Sequence, residues 1–294
     1  MSAPVSAASA SASQTFGLPF LKGHGTQNDF VIIPDEDGKL DLGPAEVALL
    51  CDRRAGVGGD GLLRVVRSAA DPAAAGMADR AEWFMDYRNS DGSIAEMCGN
   101  GVRVFAHYLV QAGLAPVGSL AVATRAGVRE VVVAENGEVT VDMGHAVLPG
   151  TGPVTVTVGD HSWPALNVNM GNPHAVAFVD DLADAGTLFT APSVTDGVYP
   201  EGVNVEFVVE RGPRHVAMRV HERGSGETRS CGTGACAVAV AAARRHHLTP
   251  AATGEPVTYT VDLPGGTLRI TEHPDTRIEM TGPAAIVATG TLAI

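Results

Sequence analysis

One loop occurs twice in this chain. At Ser90-Asp91-Gly92-Ser93-Ile94-Ala95-Glu96-Met97-Cys98-Gly99-Asn100-Gly101, a polar, glycine-bearing stretch runs into Cys-Gly-x-Gly and then into an apolar, helix-like segment. The same grammar returns at Gly224-Ser225-Gly226-Glu227-Thr228-Arg229-Ser230-Cys231-Gly232-Thr233-Gly234-Ala235-Cys236. Cys98 and Cys231 stand at matching places, 133 positions apart. A second echo sets Gln27-Asn28-Asp29-Phe30-Val31 against Gly171-Asn172-Pro173-His174, with the asparagines 144 positions apart. Two echoes at similar offsets predict an internal duplication, and so two similar halves.

A cysteine that closes a loop and opens a helix lies where backbone N–H groups are unpaired and the helix dipole is positive. That setting is expected to lower a thiol pKa from about 8.5 towards neutrality. The neighbouring glycines let backbone donors approach a ligand, so each loop is also suited to a carboxylate or phosphate.

The rest of the chain agrees with two α/β halves. Phe20 to Ile33 reads as an approach, a Gly/Asn turn and a β-branched strand; Pro44 to Arg54 reads as a helix with Asp41 as its cap and Cys51 on its core face. Gly56-Val57-Gly58-Gly59-Asp60-Gly61 matches a dinucleotide fingerprint, but a helix precedes it and a strand follows, the reverse of what that fingerprint needs. Asp71 to Arg80 reads as an Ala-rich insertion, a loop or short helix. Strands are expected at 82–87, 120–124, 128–134 and 138–143, with Asn136-Gly137 as a hairpin turn, and a helix follows Cys98. After the Gly- and Pro-rich stretch from Gly144 to Pro153 the pattern restarts, with strands at 154–158, 165–170, 175–179, 203–209, 215–221, 257–263, 267–271 and 277–280. Asp181 to Phe189 reads as a short helix. From Ala235 to Ala243 every residue is Ala, Val or Cys, apolar all round, as in a helix enclosed by a curved sheet. The expected fold is α/β with mixed sheets: two pseudo-symmetric domains, each a curved mixed sheet or barrel around a central helix, with the site in the cleft between them.

Composition narrows the function. Twenty Lys and Arg against 33 Asp and Glu give a net charge of −13, which speaks against nucleic acid or an anionic membrane as a partner. Residues 1–15 are dominated by Ala and Ser, with no basic start of a secretory signal, and read as a disordered tail. No run of about eighteen apolar residues suggests a membrane span, so a cytoplasmic protein is expected. Four cysteines, at 51, 98, 231 and 236, include no Cys-x-x-Cys and match neither a disulfide scaffold nor a zinc site.

Two facing thiols have two chemistries open to them. One can attack the other as a redox pair, or each can handle a proton on one side of a bound carbon. Taking the α-proton from an amino acid places a carbanion beside a carboxylate, and two helix N-termini, at Gly99-Asn100-Gly101 and Gly232-Thr233-Gly234, would stabilise that charge. Neither a cofactor nor a metal is called for.

Read together, Lys22-Gly23-His24-Gly25-Thr26-Gln27-Asn28-Asp29-Phe30, Asn89 to Ser93 with Cys98-Gly99-Asn100-Gly101-Val102-Arg103, Gly171-Asn172-Pro173-His174, Asn204-Val205-Glu206-Phe207 and Glu222 to Thr228 leading to Cys231-Gly232-Thr233-Gly234 resemble the diaminopimelate epimerases from about Phe16 onwards. The resemblance implies interconversion of LL- and meso-diaminopimelate for lysine and peptidoglycan synthesis, by a cofactor-free two-base mechanism with Cys98 and Cys231 as the pair. It implies substrate contacts from Asn28, Asn89, Gly99, Asn100, Asn172, Asn204, Glu222, Arg223, Gly232 and Thr233, with His174 in support. It further implies a homodimer and a C-terminal strand that returns to the first domain, so that 16–146 with 281–294 forms one half and 147–280 the other. Gly61 stands where many members carry Gln. A proline or hydroxyproline racemase of the same build, and a thiol-redox protein, are the competing readings.

Overall fold

The computed structural model describes residues 17–150 and 152–292, so the tail at 1–15 lies outside what is described. The eighteen strands of these residues join one continuous sheet, and the order of pairing shows why the sequence repeats itself.

In the first half, β1 (Leu18–Gly25) and β2 (Asn28–Pro34) form a hairpin closed by Thr26 and Gln27, both at positive φ, 51° and 63°. Helix α1 (Pro44–Cys51) follows. Its N-cap is Gly43 rather than Asp41, because Pro44, with φ already set for a helix, takes the first helical position. Strand β3 (Gly61–Arg67) lies parallel to β2, and β4 (Trp83–Asn89) returns beside it. The insertion between them makes a single 3-10 turn at Ala75–Met77, packs Ala74 and Met77 with Val66, Phe84 and Ala123, and ties Asp71 to Arg64 at 3.0 Å. Helix α2 (Gly99–Gln111) crosses to β5 (Gly118–Thr124), which lies parallel to β4 and continues into β6 (Gly127–Val133) and β7 (Val139–His145).

The second half comprises β8 (Val154–Val158), β9 (His161–Asn169), β10 (Pro173–Phe178), the two-residue β11 (Ser193–Val194), β12 (Asn204–Gly212), β13 (His215–Glu222), β14 (Gly226–Thr228), α3 (Gly232–Arg245), α4 (Pro250–Thr253), β15 (Val257–Leu263), β16 (Gly266–Glu272) and β17 (Arg277–Gly282). The final strand is β18 (Ala285–Leu292). Asp181 to Phe189 is not a helix: only Leu182–Ala185 turns, as 3-10, before Gly186 and Leu188 take positive φ and end it.

From β1 to β7, neighbours pair antiparallel, parallel, antiparallel, parallel, antiparallel, antiparallel. The series β9, β10, β12, β13, β15, β16, β17 repeats those senses in the same order. Its last member, β17, pairs antiparallel with β7, so the halves join along equivalent edges. Strand β18 lies against β1 in the slot that β8 fills against β9.

Each half wraps around its helix. Helix α2 touches all of β1 to β7 and also β18; α3 touches β9, β10, β12, β13, β15, β16 and β17. The burial follows: every residue from Gly234 to Ala243 is buried, as the uniformly apolar sequence requires. Among the described residues no helix is long and apolar enough to cross a membrane.

Candidate active site

Both repeated cysteines occupy the N-cap of a central helix. Cys98 accepts from the Gly101 N–H at 3.5 Å, and Cys231 from the Gly234 N–H at 3.3 Å. The helix starts abut one another. Asn100 Nδ2 donates to the Ser230 carbonyl at 3.3 Å and lies 3.2 Å from its hydroxyl, so the first residues of α2 hold the residue that precedes Cys231. Methionines fill the seam. A Cβ on Gly232 would stand 3.1 Å from Met280 Sδ and 3.3 Å from Asn100 Oδ1; one on Gly99 would stand 2.8 Å from Met280 Cε and from Met143 Sδ. Glycine at both positions is what allows this approach. The charge of Glu222 raises both thiols, and its carboxylate takes a hydrogen bond from Cys231.

The expected lowering of the thiol pKa values is not what this arrangement produces. Burial pushes Cys98 up to about 11, and the Gly101 N–H, which pulls the other way, does not offset it. Cys231 is raised well above the usual range, first by burial and then by the charges of Glu222 and Glu206. Desolvation and two carboxylates outweigh the helix ends here. Glu222 itself is pushed up by burial, while hydrogen bonds from Thr228 and Cys231 pull it down.

The asparagines divide between the halves. Asn28, beside the β1–β2 turn, turns its Oδ1 to Cys98 Sγ at 3.6 Å and accepts from Asn100 Nδ2 at 3.2 Å. Asn172 donates to Thr233 Oγ1 at 3.4 Å, and Thr233 Oγ1 lies 3.6 Å from Cys231 Sγ. Asn204 bonds the Pro173 carbonyl and the backbone N–H of Arg223, each at 3.0 Å, and so fixes the strand end that carries Glu222 and Arg223. Two members of the set stand back. Asn89, at the end of β4, bonds Tyr87 of its own strand and Ser93 of the loop that follows, and the Arg223 guanidinium donates to the Glu201 carbonyl at 3.1 Å. His174 is fully buried, with Nδ1 at 2.6 Å from Glu206 Oε1 and Nε2 at 3.0 Å from Asn172 Oδ1.

Several residues of this site were not among those expected. Glu206 is fully buried behind Cys231, and a Cβ on Gly234 would stand 2.8 Å from its Oε1. It lay within the motif Asn204-Val205-Glu206-Phe207, and the signal that could have singled it out was a lone acidic residue in an apolar strand. Arg103, fully buried in α2, donates to Asn100, Thr26 and Pro283, and the signal was again a charge on a core face. Thr26, strained at positive φ, is pinned by Ser230 Oγ at 2.6 Å and by Arg103 Nη2 at 3.1 Å. Nothing local marked Ser230, Met143 or Met280. Among the described residues no three His, Cys, Asp or Glu side chains are grouped as a metal site.

This doubled fold is shared with solved structures of low sequence identity. A phenazine biosynthesis protein of the PhzF family from Bacillus anthracis superposes with TM-score 0.67 at 17% identity, covering 94% of this chain and 99% of that one. A hydroxyproline epimerase from Agrobacterium vitis, solved with bound trans-4-hydroxy-L-proline, superposes with TM-score 0.61 at 15% identity over 94% and 92%. At these identities the fold alone is shared, that of a two-lobed α/β protein, here with a cysteine at the N-cap of each central helix. Sequence decides within that class. The diaminopimelate epimerase family model matches residues 20–149 and 166–287. A diaminopimelate epimerase of Streptomyces coelicolor is 73% identical over 274 residues, 93% of this chain and 94% of its own length. One from Thermobifida fusca is 48% identical over 93% and 97%. The chain belongs to the diaminopimelate epimerase family.

Proposed function

We propose that this protein epimerises diaminopimelate between its LL and meso forms, in lysine and peptidoglycan precursor synthesis, with Cys98 and Cys231 as the two bases. One observation carries the reading: two cysteine-capped helix starts pack against each other over Met280, with Asn100 of one bonded to Ser230 just ahead of the other. One sulfur, as thiolate, takes the α-hydrogen as a proton and becomes a thiol. The electron pair of the broken C–H bond spreads onto the adjacent carboxylate, where the N–H groups of both helix starts meet the charge. The opposite thiol then gives its proton to the other face of the carbon and becomes the thiolate. Configuration is inverted, and the two sulfurs have exchanged protonation states.

Polar but uncharged asparagines at 28, 89, 100, 172 and 204 suit a substrate with charged groups at both ends, because they bind those groups without adding charge beside the thiols. Gly99, Gly232 and Thr233 contribute at the helix starts. Glu222 suits an ammonium and Arg223 the distal carboxylate; for that role Arg223 exchanges the Glu201 carbonyl for the ligand. His174 supports Cys231 through Asn172 and Glu206. The division into 16–146 with 281–294 and 147–280, and a homodimer, belong to the same proposal and rest on the family resemblance; the cytoplasmic setting belongs to it too and rests on the composition of the chain.

The test is α-proton exchange on LL-diaminopimelate in deuterated water, under reducing conditions and with no added cofactor. Incorporation of deuterium with formation of the meso isomer is expected. Cys98→Ser and Cys231→Ser are each expected to lose about a hundredfold or more in turnover while still binding the substrate. Undiminished turnover in both variants, or inversion of proline with diaminopimelate untouched, would overturn the assignment.

A further inference from the structure

The side-chain amides of Asn28 and Asn100 each have an oxygen end and a nitrogen end of nearly equal shape, and the partners decide which way each points. At one end of the run lies Arg103, a group that only donates. Its Nη2 lies 2.6 Å from Asn100 Oδ1, its Nη1 lies 2.6 Å from the Pro283 carbonyl, and no carboxylate is among these partners. At the other end lies the carboxylate of Asp60, a group that only accepts. Its Oδ2 takes Asn28 Nδ2 at 2.8 Å and the Asp29 N–H at 3.3 Å, while Arg53 holds its Oδ1 at 2.8 Å.

The two anchors settle everything between them. Asn100 turns its oxygen to Arg103, so its nitrogen reaches Asn28 Oδ1 and Ser230. Asn28 turns its nitrogen to Asp60, so its oxygen faces the Cys98 sulfur at 3.6 Å. An acceptor in that place favours S–H over a bare thiolate, because only the protonated sulfur has a hydrogen to share.

We propose that Arg103 and Asp60 are positioning residues for proton transfer: from opposite ends they fix both amides so that a carbonyl oxygen faces Cys98 and keeps the proton on that sulfur while the cleft is empty. The inference rests on Cys98 being one of the two bases, but it concerns the free enzyme and is read without turnover. The other ionisable groups acting on Cys98 are Glu222 from β13, Arg103 from α2 and Tyr87 from β4. Lys22, Asp29 and Arg53 cluster around the Asp60 anchor.

The experiment is the pH profile of Cys98 alkylation by iodoacetamide on the full-length, substrate-free protein, followed by mass spectrometry of the Cys98 peptide. Asp60→Asn replaces a group that only accepts by one that also donates, so Asn28 is oriented by Asn100 alone and turns its N–H towards the sulfur in part of the molecules. The alkylation midpoint is expected to fall by about one pH unit, and the rate near pH 8 to rise about tenfold. Asp60→Ser, which removes the acceptor in a different way, is expected to shift the profile in the same direction. Asp60→Glu is expected to restore the wild-type profile. Asp29→Asn removes the same charge from the same cluster but leaves Asn28 anchored, so its shift is expected to be clearly smaller. An unchanged profile in Asp60→Asn and Asp60→Ser, failure of Asp60→Glu to restore it, or an equal shift in Asp29→Asn would each overturn the proposal. A failure of the epimerase reading looks different, with the alkylation pattern intact and exchange on diaminopimelate absent.

Discussion

At the residue scale, the thiols are governed by what surrounds them more than by the helix ends they cap. Glu222 raises both, so removing its charge is expected to act on both at once. Glu222→Gln is expected to move thiolate absorbance at 240 nm to lower pH and, because an ammonium would lose its partner, to cut turnover by roughly tenfold or more. A shift confined to one sulfur would contradict a shared carboxylate. Buried thiols also make stability depend on pH. Cys51 and Cys98 are pushed up to about 11 and Cys236 to about 12, in each case first by burial. A thiol whose folded value lies above its unfolded value of about 8.5 stabilises the fold fully below that pH and loses the contribution as pH rises through the folded value. The melting temperature is therefore expected to hold up to about pH 8 and to fall between about pH 9 and 11. Cys51→Ala is expected to lose less than wild type over the same window, relative to its own neutral value. Cys98 and Cys231 were legible in the sequence because the loop that carries them is written twice. Glu206 and Arg103 were not, since a charge in an apolar segment shows only that something must face it, and what faces it arrives from far along the chain.

At the element scale, long periodic segments were readable and short ones were not. Helix α3 declared itself, because a run that is apolar on all sides is stable only when enclosed. The enclosure is tight: Ala242 is fully buried in a helix whose sheet touches it on every side. Ala242→Leu is expected to cost about 1–3 kcal/mol in urea unfolding through overpacking, whereas Gln111→Leu at the exposed end of α2 is expected to change stability little. Equal effects at the two sites would contradict the enclosed-helix description. The two-residue β11, the three-residue β14 and the four-residue α4 left no pattern to find. The two short strands exist because a partner offers them hydrogen bonds, β8 for the first and β13 for the second, and no local periodicity encodes a partner.

At the scale of the molecule, the second half is completed by its own first strand, β8, and the first half by a strand from the far end of the chain. Strand β18 completes the first half beside β1, and Pro283, just before it, receives Arg103. A chain ended at Gly282 is expected to expose the β1 edge, lose cooperative unfolding and associate on size exclusion; a monodisperse product with an unchanged melting temperature would show that β18 is dispensable. The junction between halves reaches the site as well, for Thr26 of the first turn meets Ser230, 204 positions away, and a Cβ on Gly265 would lie 1.9 Å from the Thr26 carbonyl. By itself the sequence determined that the fold is double, that each half is built on a helix opened by Cys-Gly-x-Gly, and which family this is, because repetition, periodicity and motif are properties of residue order. Only the tertiary structure decided how far the thiols are driven from water, which carboxylates stand beside them and which way the amides of Asn28 and Asn100 point. Those depend on distances between groups that are far apart in the chain, and on a local dielectric that exists only once both sheets have closed around their helices.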